Sequence, residues 1–179
     1  GAWNDVVEAA LRIRQAFTAF SCGALTISAG LALVDDHYPV RLSAAASGDL
    51  EDLAKQEPGK DAVCLFESAH CYDWNTFTGR VLGEKKAALE AFFGTRGQER
   101  GTAFLYRTLD LLRTAQDPKD GKLQLARYAY LLARLEPPRT SPAFGAYRTF
   151  ADKMYRWALN KTDRAELITA IYLHVYENR

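Results

Sequence analysis

The sequence predicts an α+β protein in which a partial α/β unit, of order helix-strand-helix-strand, precedes an all-α bundle of four or five helices. Apolar residues recur at helical spacing near the N-terminus, alternate in the run that follows, and return to helical spacing throughout the second half. The charge divides at the same place, since residues 1–79 hold 5 basic and 11 acidic side chains whereas residues 80–179 hold 18 and 11. The total of +1 for 179 residues therefore conceals an acidic unit at 1–79 and a basic helical unit at 80–179.

The first unit is predicted to contain two helices and two strands. Residues 5–20 carry one apolar helical face, and Gly23 then offers the left-handed conformation that often ends a helix. The run at 24–34 is apolar or small on both alternating faces, as in a central strand covered on both sides. A helix at about 40–56 and a strand at 61–66 follow. Because a helix connects the two strands, we expect them in one sheet, with further strands beside them.

The second unit is predicted to be helical throughout. The helix at 122–135 is apolar on most sides and is therefore expected at the centre. Ser141-Pro142 is a typical helix start, and Asp163 with Glu166 resembles a capping box at the start of the last helix. The other predicted helices cover residues 84–93 and 102–116. Short connections between such helices are typical of a bundle.

The sequence shows no complete active site. It contains no nucleophile elbow, zinc-binding HExxH, phosphate-binding loop or dinucleotide fingerprint. Asp35-Asp36 is the obvious carboxylate pair, but adjacent residues usually point to opposite sides, and Tyr38-Pro39 indicates a solvated turn. His37 is interpreted as a loop residue of the same turn. No catalytic residue and no metal ligand is therefore predicted.

The cysteine content and hydropathy favour a protein of a reducing cytoplasm. Three cysteines are too few and too scattered for a disulfide framework, and Cys64 lies in an apolar strand where core packing is expected. No apolar run approaches the roughly 18 residues that suggest a membrane span. No membrane partner is therefore expected.

A small-residue segment and two lysines are candidates for ligand binding in the first unit. Ser28 is followed by Ala29 and Gly30, and small residues in a strand allow a flat ligand to approach the sheet. The alternative is a hydroxyl that the strand merely tolerates. Lys55 and Lys60 bracket the turn before the last strand, where they can reach a phosphate as point charges or serve as ordinary surface lysines.

Two arginine pairs mark a candidate surface in the second unit. Each pair is spaced by seven residues, which is two helical turns, and Tyr128 and Tyr130 interleave with the second pair. Basic and aromatic side chains together suit nucleic acid or an acidic protein, although solvated helix faces are the commoner explanation for such charges. The pairs are Arg100 with Arg107 and Arg127 with Arg134.

Three segments of the first unit resemble one known family. They are LTISAGLALVDDHYPVRLSAAASGDLEDLAK at 25–55, GKDAVCLFE at 59–67 and YDWNTF at 72–77. They are similar to the second palm of the Csm-type large subunit of type III-A CRISPR effector complexes, a ferredoxin-like polymerase and nucleotidyl-cyclase fold. The helical remainder resembles the C-terminal helical domain of that family. The resemblance implies a partial palm at 1–79 and that helical domain at 80–179.

The resemblance also implies a chemistry for a longer parent protein. The family's second palm carries a Gly-Gly-Asp-Asp hairpin that holds divalent metal (Mg or Mn) and joins ATP into cyclic oligoadenylates when target RNA binds. That hairpin is expected just before a helix like the one at 5–20, so its aspartates are expected N-terminal to residue 1. The chain is therefore expected to be a fragment that binds no cofactor and is inactive alone. The family's nuclease domain, first palm and zinc-binding segment have no counterpart in these residues.

Some family positions carry over to this sequence. The resemblance places Ser28, in the SAG segment with Ala29 and Gly30, near the adenine pocket, and Lys55 and Lys60 near the triphosphate. It also implies that the helical domain contacts the small and backbone subunits of the complex and neighbours the crRNA and target RNA. The main alternative is a non-catalytic helical scaffold or interaction module with a degenerate palm. A dinucleotide cyclase of the signalling type is a third possibility, which the long basic helical region argues against.

Overall fold

The computed structural model describes residues 3–35, 37–94, 101–116 and 121–177. Two compact units divide the chain into Gly1–Arg80 and Val81–Arg179. A small sheet with flanking helices makes up the first unit, and the second is helical across its described residues. The predicted α+β class is confirmed.

The first unit has a three-stranded sheet in the order β1-β2-β3. Its strands β1 and β2 lie in one sheet and are connected through α2, as predicted. They pair in parallel, whereas β3 pairs antiparallel with β2. The sequence did not indicate β3, because three residues are too few to show an alternating pattern. The elements are α1 (Trp3–Phe20), β1 (Ala29–Leu31), α2 (Val40–Ala54), a 3₁₀ turn (Pro58–Lys60), β2 (Ala62–Leu65), β3 (Cys71–Asp73) and α3 (Trp74–Thr76).

Strand β1 is much shorter than the predicted strand at 24–34. Cys22 and Gly23 adopt positive φ angles of 51° and 75°, so the chain turns sharply after α1. Before Ala29 the chain forms side-chain hydrogen bonds in place of strand pairing. For example, the hydroxyl of Thr26 donates to the carbonyl of Gly59 at 2.9 Å. Because β2 offers only four residues to pair with, the apolar alternation before Ala29 does not form a strand.

The two long helices of this unit contact opposite faces of the sheet. Helix α2 packs Leu50 and Ala54 against Ala62 and Cys64 on one face. On the other face α1 and β1 line an apolar cleft. The apolar stripe of α1 is only partly covered, because Phe20 remains 88% exposed.

Asp73 caps the short helix that follows the sheet. Its carboxylate accepts hydrogen bonds from the backbone N–H groups of Asn75 and Thr76 at 3.0 and 2.9 Å. Burial works to raise the pKa of Asp73, but the side-chain hydrogen bond from Thr76, followed by these backbone N–H donors, outweighs it and holds that pKa below the ordinary value. The cap thus fixes where the chain leaves β3.

The second unit is a set of helices, of which the last is the most buried. Helix α8 buries ten residues distributed around its circumference, whereas α6 buries only Gln124, Tyr128 and Leu132. The prediction that residues 122–135 form the central helix was therefore wrong. The elements are a π-helical segment (Phe77–Lys86) that begins in the first unit, α4 (Ala87–Phe93), α5 (Thr102–Thr114), α6 (Gly121–Ala133), α7 (Phe144–Leu159) and α8 (Lys161–Glu177).

The start of α8 differs from the predicted capping box. The side-chain oxygen of Asn160 accepts from the backbone N–H groups of Thr162 and Asp163 at 2.9 and 3.1 Å, so Asn160 is the cap. Asp163 and Glu166 instead bind the ammonium of Lys85. Within the described residues, none of the helices has both the length and the apolar character needed to cross a bilayer.

Candidate functional site

The structure brings the predicted Ser28 and Lys60 together through the backbone. The Ser28 hydroxyl donates to the Lys60 carbonyl oxygen at 2.8 Å, directly beside β1. Lys60 has a positive φ of 51° at the end of the 3₁₀ turn. Its side chain is exposed and forms no ion pair with any residue in the described part of the chain. A cation free to meet an anion therefore lies next to the serine.

Gly30 has a packing role that its sequence context did not reveal. A Cβ added there would lie 2.1 Å from the carbonyl oxygen of Ser47 and 2.4 Å from the backbone nitrogen of Glu51. Both atoms belong to α2, so only glycine lets the helix approach the strand this closely. The small size of Gly30 thus serves helix packing, on the face of the sheet opposite the cleft.

Ala29 lies in the wall of a cleft between α1 and β1. The cleft has a volume of about 280 Å³ and is almost entirely apolar, and a cavity of this kind suits a flat, hydrophobic ring. Its lining includes Ala10 and Ile13 of α1, Ala29 and Leu31 of β1, and Ile27 and Trp74.

A charged edge borders this cleft. The Arg14 guanidinium donates to the Asp61 carboxylate at 2.7 Å and lies 5.8 Å from the centre of the Trp74 ring. The Trp74 indole N–H donates to the carbonyl of Ile27 at 2.9 Å, which fixes the ring. Sequence reasoning missed Arg14 and Trp74, because the residues that meet here are far apart in the chain.

Lys55 is engaged by carboxylates of its own helix. Its ammonium lies 2.8 Å from Glu51 and 3.4 Å from Asp52 on α2. The hydrogen bond that Lys55 donates to Glu51 is the largest of the effects that raise the pKa of Lys55. Compared with Lys60, this lysine must give up existing partners before it can bind a phosphate.

The predicted turn after β1 is present at its described residues. Asp35 and His37 are exposed, and the carbonyl of Asp35 accepts from the backbone N–H of Tyr38 at 2.9 Å. Asp36 lies outside the described residues. Among the residues that the structure describes, no three His, Cys, Asp or Glu side chains are placed to hold a metal ion. The described residues therefore do not fit a divalent metal.

The predicted surface arginines of the second unit are solvent-exposed where the structure describes them. Arg107 lies on α5, Arg127 on α6 and Arg134 one residue after α6, whereas Arg100 lies outside the described residues. Arg127 approaches the side-chain oxygen of Gln124 at 3.5 Å. All three guanidinium groups are thus accessible to a partner.

The two tyrosines near these arginines differ in environment. Tyr130 is 68% exposed and can join a binding surface, but Tyr128 is fully buried. Burial raises the pKa of Tyr128, as expected for a phenol removed from water. Tyr128 is therefore a core residue, and the expected interleaving of aromatics holds for Tyr130 alone.

A buried ion cluster centres on Lys85 in the second unit. The Lys85 ammonium lies 2.7 Å from Glu166 and 3.1 Å from Asp163, and it sits 5.1 Å from the centre of the Trp157 ring. The side chains of Lys85 and Glu166 are 0% and 1% exposed. No spacing pattern could have predicted this pairing, because the partners lie on different elements.

His174 is the buried histidine of α8. Burial lowers its pKa below 6.5, and the neighbouring Lys86 acts in the same direction while Glu90 opposes it. His174 is thus held neutral near neutral pH, which makes the second unit sensitive to acid.

Comparisons with known proteins match both units. Residues 1–64 match the Cas10/Cmr2 second palm domain, and residues 90–179 match the second helical domain of the CRISPR RNA silencing complex Cmr2 subunit. Three similar proteins are described as a CRISPR system single-strand-specific deoxyribonuclease Cas10/Csm1 (subtype III-A). They come from Mycobacterium tuberculosis, Enterococcus italicus and Streptococcus thermophilus, with 36%, 38% and 34% identity.

These alignments cover 100% of this chain but only 21%, 22% and 23% of the three relatives. The chain therefore spans about a fifth of the length of the curated relatives it matches. The matched regions are the two that the sequence resemblance indicated, a second palm and a helical domain. The chain belongs to the Cas10/Cmr2 family of CRISPR effector-complex large subunits.

Proposed function

We propose that these residues serve a longer type III-A large subunit (the parent subunit) that makes cyclic oligoadenylates from ATP when target RNA binds. The observation that carries this proposal is the apolar cleft at Ala29 beside the Ser28–Lys60 junction. Ser28, Ala29 and Lys60 lie within the residues that match the second palm. An apolar slot next to an exposed cation suits a nucleotide, whose base is flat and whose phosphates are anionic.

The cleft is proposed to receive an adenine ring of ATP. Ala29 leaves the space that a larger side chain would fill, while Trp74 supplies an aromatic wall. Arg14 and Asp61 provide a polar edge that can hydrogen-bond the ring nitrogens and the exocyclic amine. These side chains would bind and orient the base, and Ser28 would hold the Lys60 turn beside it.

Lys60 is the proposed phosphate contact on this chain. Its exposed ammonium follows the turn, whereas Lys55 is held by Glu51 and Asp52. Since the described residues contain no ligand set for a divalent ion, no catalytic step is assigned to them. The chain's proposed share of the reaction is therefore nucleotide binding and orientation.

The helical unit is proposed to contact RNA and the small subunits of the complex. Its 18 basic side chains against 11 acidic ones favour a polyanionic or acidic partner. Arg107, Arg127 and Arg134 are exposed, and Tyr130 adds an exposed aromatic ring near the last two. Such a surface attracts phosphates through charge without reading their sequence.

The cleft is tested by filling it. Ala29→Leu in the parent subunit should weaken the binding of radiolabelled ATP to the assembled complex by about tenfold or more, because the added side chain occupies the proposed base site. Ala45→Leu, an exposed position on α2, makes the same chemical change away from the cleft and should leave ATP affinity unchanged. Equal affinity in both variants would refute the cleft assignment and favour the scaffold function.

The basic surface is tested by charge reversal. Arg127→Glu with Arg134→Glu should weaken RNA binding or small-subunit association and reduce the dependence of RNA affinity on salt. Arg148→Glu with Arg156→Glu, exposed on α7, reverses the same charge elsewhere and is the matched control. Unchanged assembly and RNA binding in the Arg127/Arg134 double variant would contradict the proposal.

A further inference from the structure

A groove between α5 and α8 combines aromatic, cationic and carboxylate side chains. Its volume is about 570 Å³, and pockets that bind small molecules have roughly 300–1,000 Å³. Unlike the cleft of the first unit, its lining is polar and apolar in similar measure. The contributing side chains include Tyr106, Leu109, Asp110 and Arg113 of α5, and Tyr172 and Tyr176 of α8.

The α8 side of the groove presents a fixed aromatic surface. Tyr172 and Tyr176 lie one turn apart, with ring centres separated by 6.0 Å and ring planes inclined by only 10°. Arg113 donates from its guanidinium to the Tyr172 hydroxyl at 2.8 Å, across the two helices. This bond holds a planar cation beside the aligned rings. Aromatic rings and guanidinium planes are the surfaces on which unpaired nucleobases stack.

Asp110 selects the kind of ligand that the groove suits. Its exposed carboxylate and the Arg113 guanidinium lie in the same lining, so their charges balance and the groove does not favour a nucleic-acid backbone or an acidic peptide. A carboxylate accepts hydrogen bonds from N–H donors. Guanine presents two adjacent donors on one edge, the ring N1–H and the exocyclic amine, which match the two oxygens of one carboxylate.

We propose that this groove binds an unpaired guanine of single-stranded RNA. The base stacks on the tyrosine rings and donates to Asp110, while its flanking phosphates face Arg107, exposed on the adjoining part of α5. The inference rests on the proposed RNA contact of the helical unit and adds a base-specific site to it. In this arrangement the basic surface attracts the RNA phosphates, and the groove recognises the base.

The test uses the 179-residue chain and fluorescein-labelled RNA heptamers, UUUGUUU against UUUAUUU and UUUUUUU, in fluorescence anisotropy titrations. The wild-type chain should bind the guanine heptamer several-fold more tightly than the others. Tyr176→Ala should lower that affinity about tenfold, since base stacking contributes on that scale. Tyr176→Phe keeps the ring and should retain the affinity.

Two further variants separate the base edge from the aromatic surface. Asp110→Asn, at an exposed position where misfolding is not expected, should reduce the preference for guanine over adenine with little effect on UUUUUUU. Tyr155→Ala is the control, because it removes a 38% exposed tyrosine of α7 that lies outside the groove. The Tyr155→Ala chain should bind all three heptamers as tightly as the wild type does.

The outcomes distinguish this inference from the function it rests on. If Arg127→Glu with Arg134→Glu weakens binding of every heptamer while no guanine preference exists and Tyr176→Ala changes nothing, the groove inference is overturned and the RNA contact stands. If no heptamer binds the chain, both fail. If Tyr176→Ala weakens association with other effector subunits and not with RNA, the groove is a protein site and the inference is wrong.

Discussion

Replacing Gly30 by alanine should destabilise the first unit, because the added methyl group has no space. Its carbon would lie 2.1 Å from the Ser47 carbonyl oxygen, 2.4 Å from the Glu51 nitrogen and 2.9 Å from the Leu50 carbonyl carbon. All three are backbone atoms of α2, which cannot rotate away as a flexible side chain can. Overpacking typically costs about 1–3 kcal/mol, and three backbone clashes place this substitution at about 3 kcal/mol.

Urea unfolding of the 179-residue chain measures this cost as a fall in the free energy of unfolding. Gly48→Ala is the matched control, because Gly48 lies within α2 and a Cβ there meets no atom within 4 Å. That control should stabilise the chain by about 0.5–1 kcal/mol, since alanine is the better helix former. A Gly30→Ala chain as stable as the wild type would refute the close packing of β1 on α2.

Three other predictions concern buried charges and a cap. Lys85→Met should lower the free energy of unfolding by about 3–5 kcal/mol in the same urea assay, because it leaves Glu166 buried without its cation. Lys122→Met, at an exposed position, should change it little. Burial lowers the pKa of His174, so the unfolded chain binds this proton at a higher pH than the folded chain does. The free energy of unfolding should therefore fall as the pH is lowered through 6.5, and His174→Gln should reduce that fall. Asp73→Ala should cost about 1 kcal/mol in thermal or urea unfolding through loss of the α3 cap, and Asp73→Asn should restore most of it. A pH profile unchanged by His174→Gln, or equal stability of the two Asp73 variants, would contradict these assignments.

The sequence predicted the main elements of the first unit because long periodic patterns are local information. The helices at 5–20 and 40–56 and the strand at 61–66 were found close to their predicted bounds. The predicted strand at 24–34 was too long, because the alternation of small and apolar residues does not show how many residues of β2 are available for pairing. Tertiary pairing, rather than local propensity, sets the length of such a strand.

The centre of the helical unit could not be read from periodicity. Helix α6 has the more apolar sequence, yet α8 is the buried helix because it also buries Arg164, Glu166 and His174. Polar residues tolerate burial when partners on other elements satisfy them, as Lys85 satisfies Glu166. A single sequence does not indicate such partners, because they lie far apart in the chain. For the same reason the sequence did not predict the contact between Arg14 and Trp74 at the edge of the cleft.

The candidate site was partly predictable. The prediction placed Ser28, Ala29 and Lys60 together, and they lie at one end of β1. The prediction also included Gly30, but Gly30 packs against α2 on the opposite face of the sheet. Lys55 differs from Lys60 because its ammonium is paired with carboxylates three and four positions earlier on the same helix. Direct nucleotide contacts of these residues stay predictions.

The most direct measurement is product analysis of an assembled type III-A complex whose large subunit contains these residues, incubated with ATP and magnesium in the presence or absence of target RNA. Cyclic oligoadenylates should appear only with target RNA, should be strongly reduced by Ala29→Leu, and should be unaffected by Ala45→Leu. A correctly assembled, RNA-binding complex that yields no cyclic oligoadenylate, or that yields the same amount with Ala29→Leu, would contradict the account.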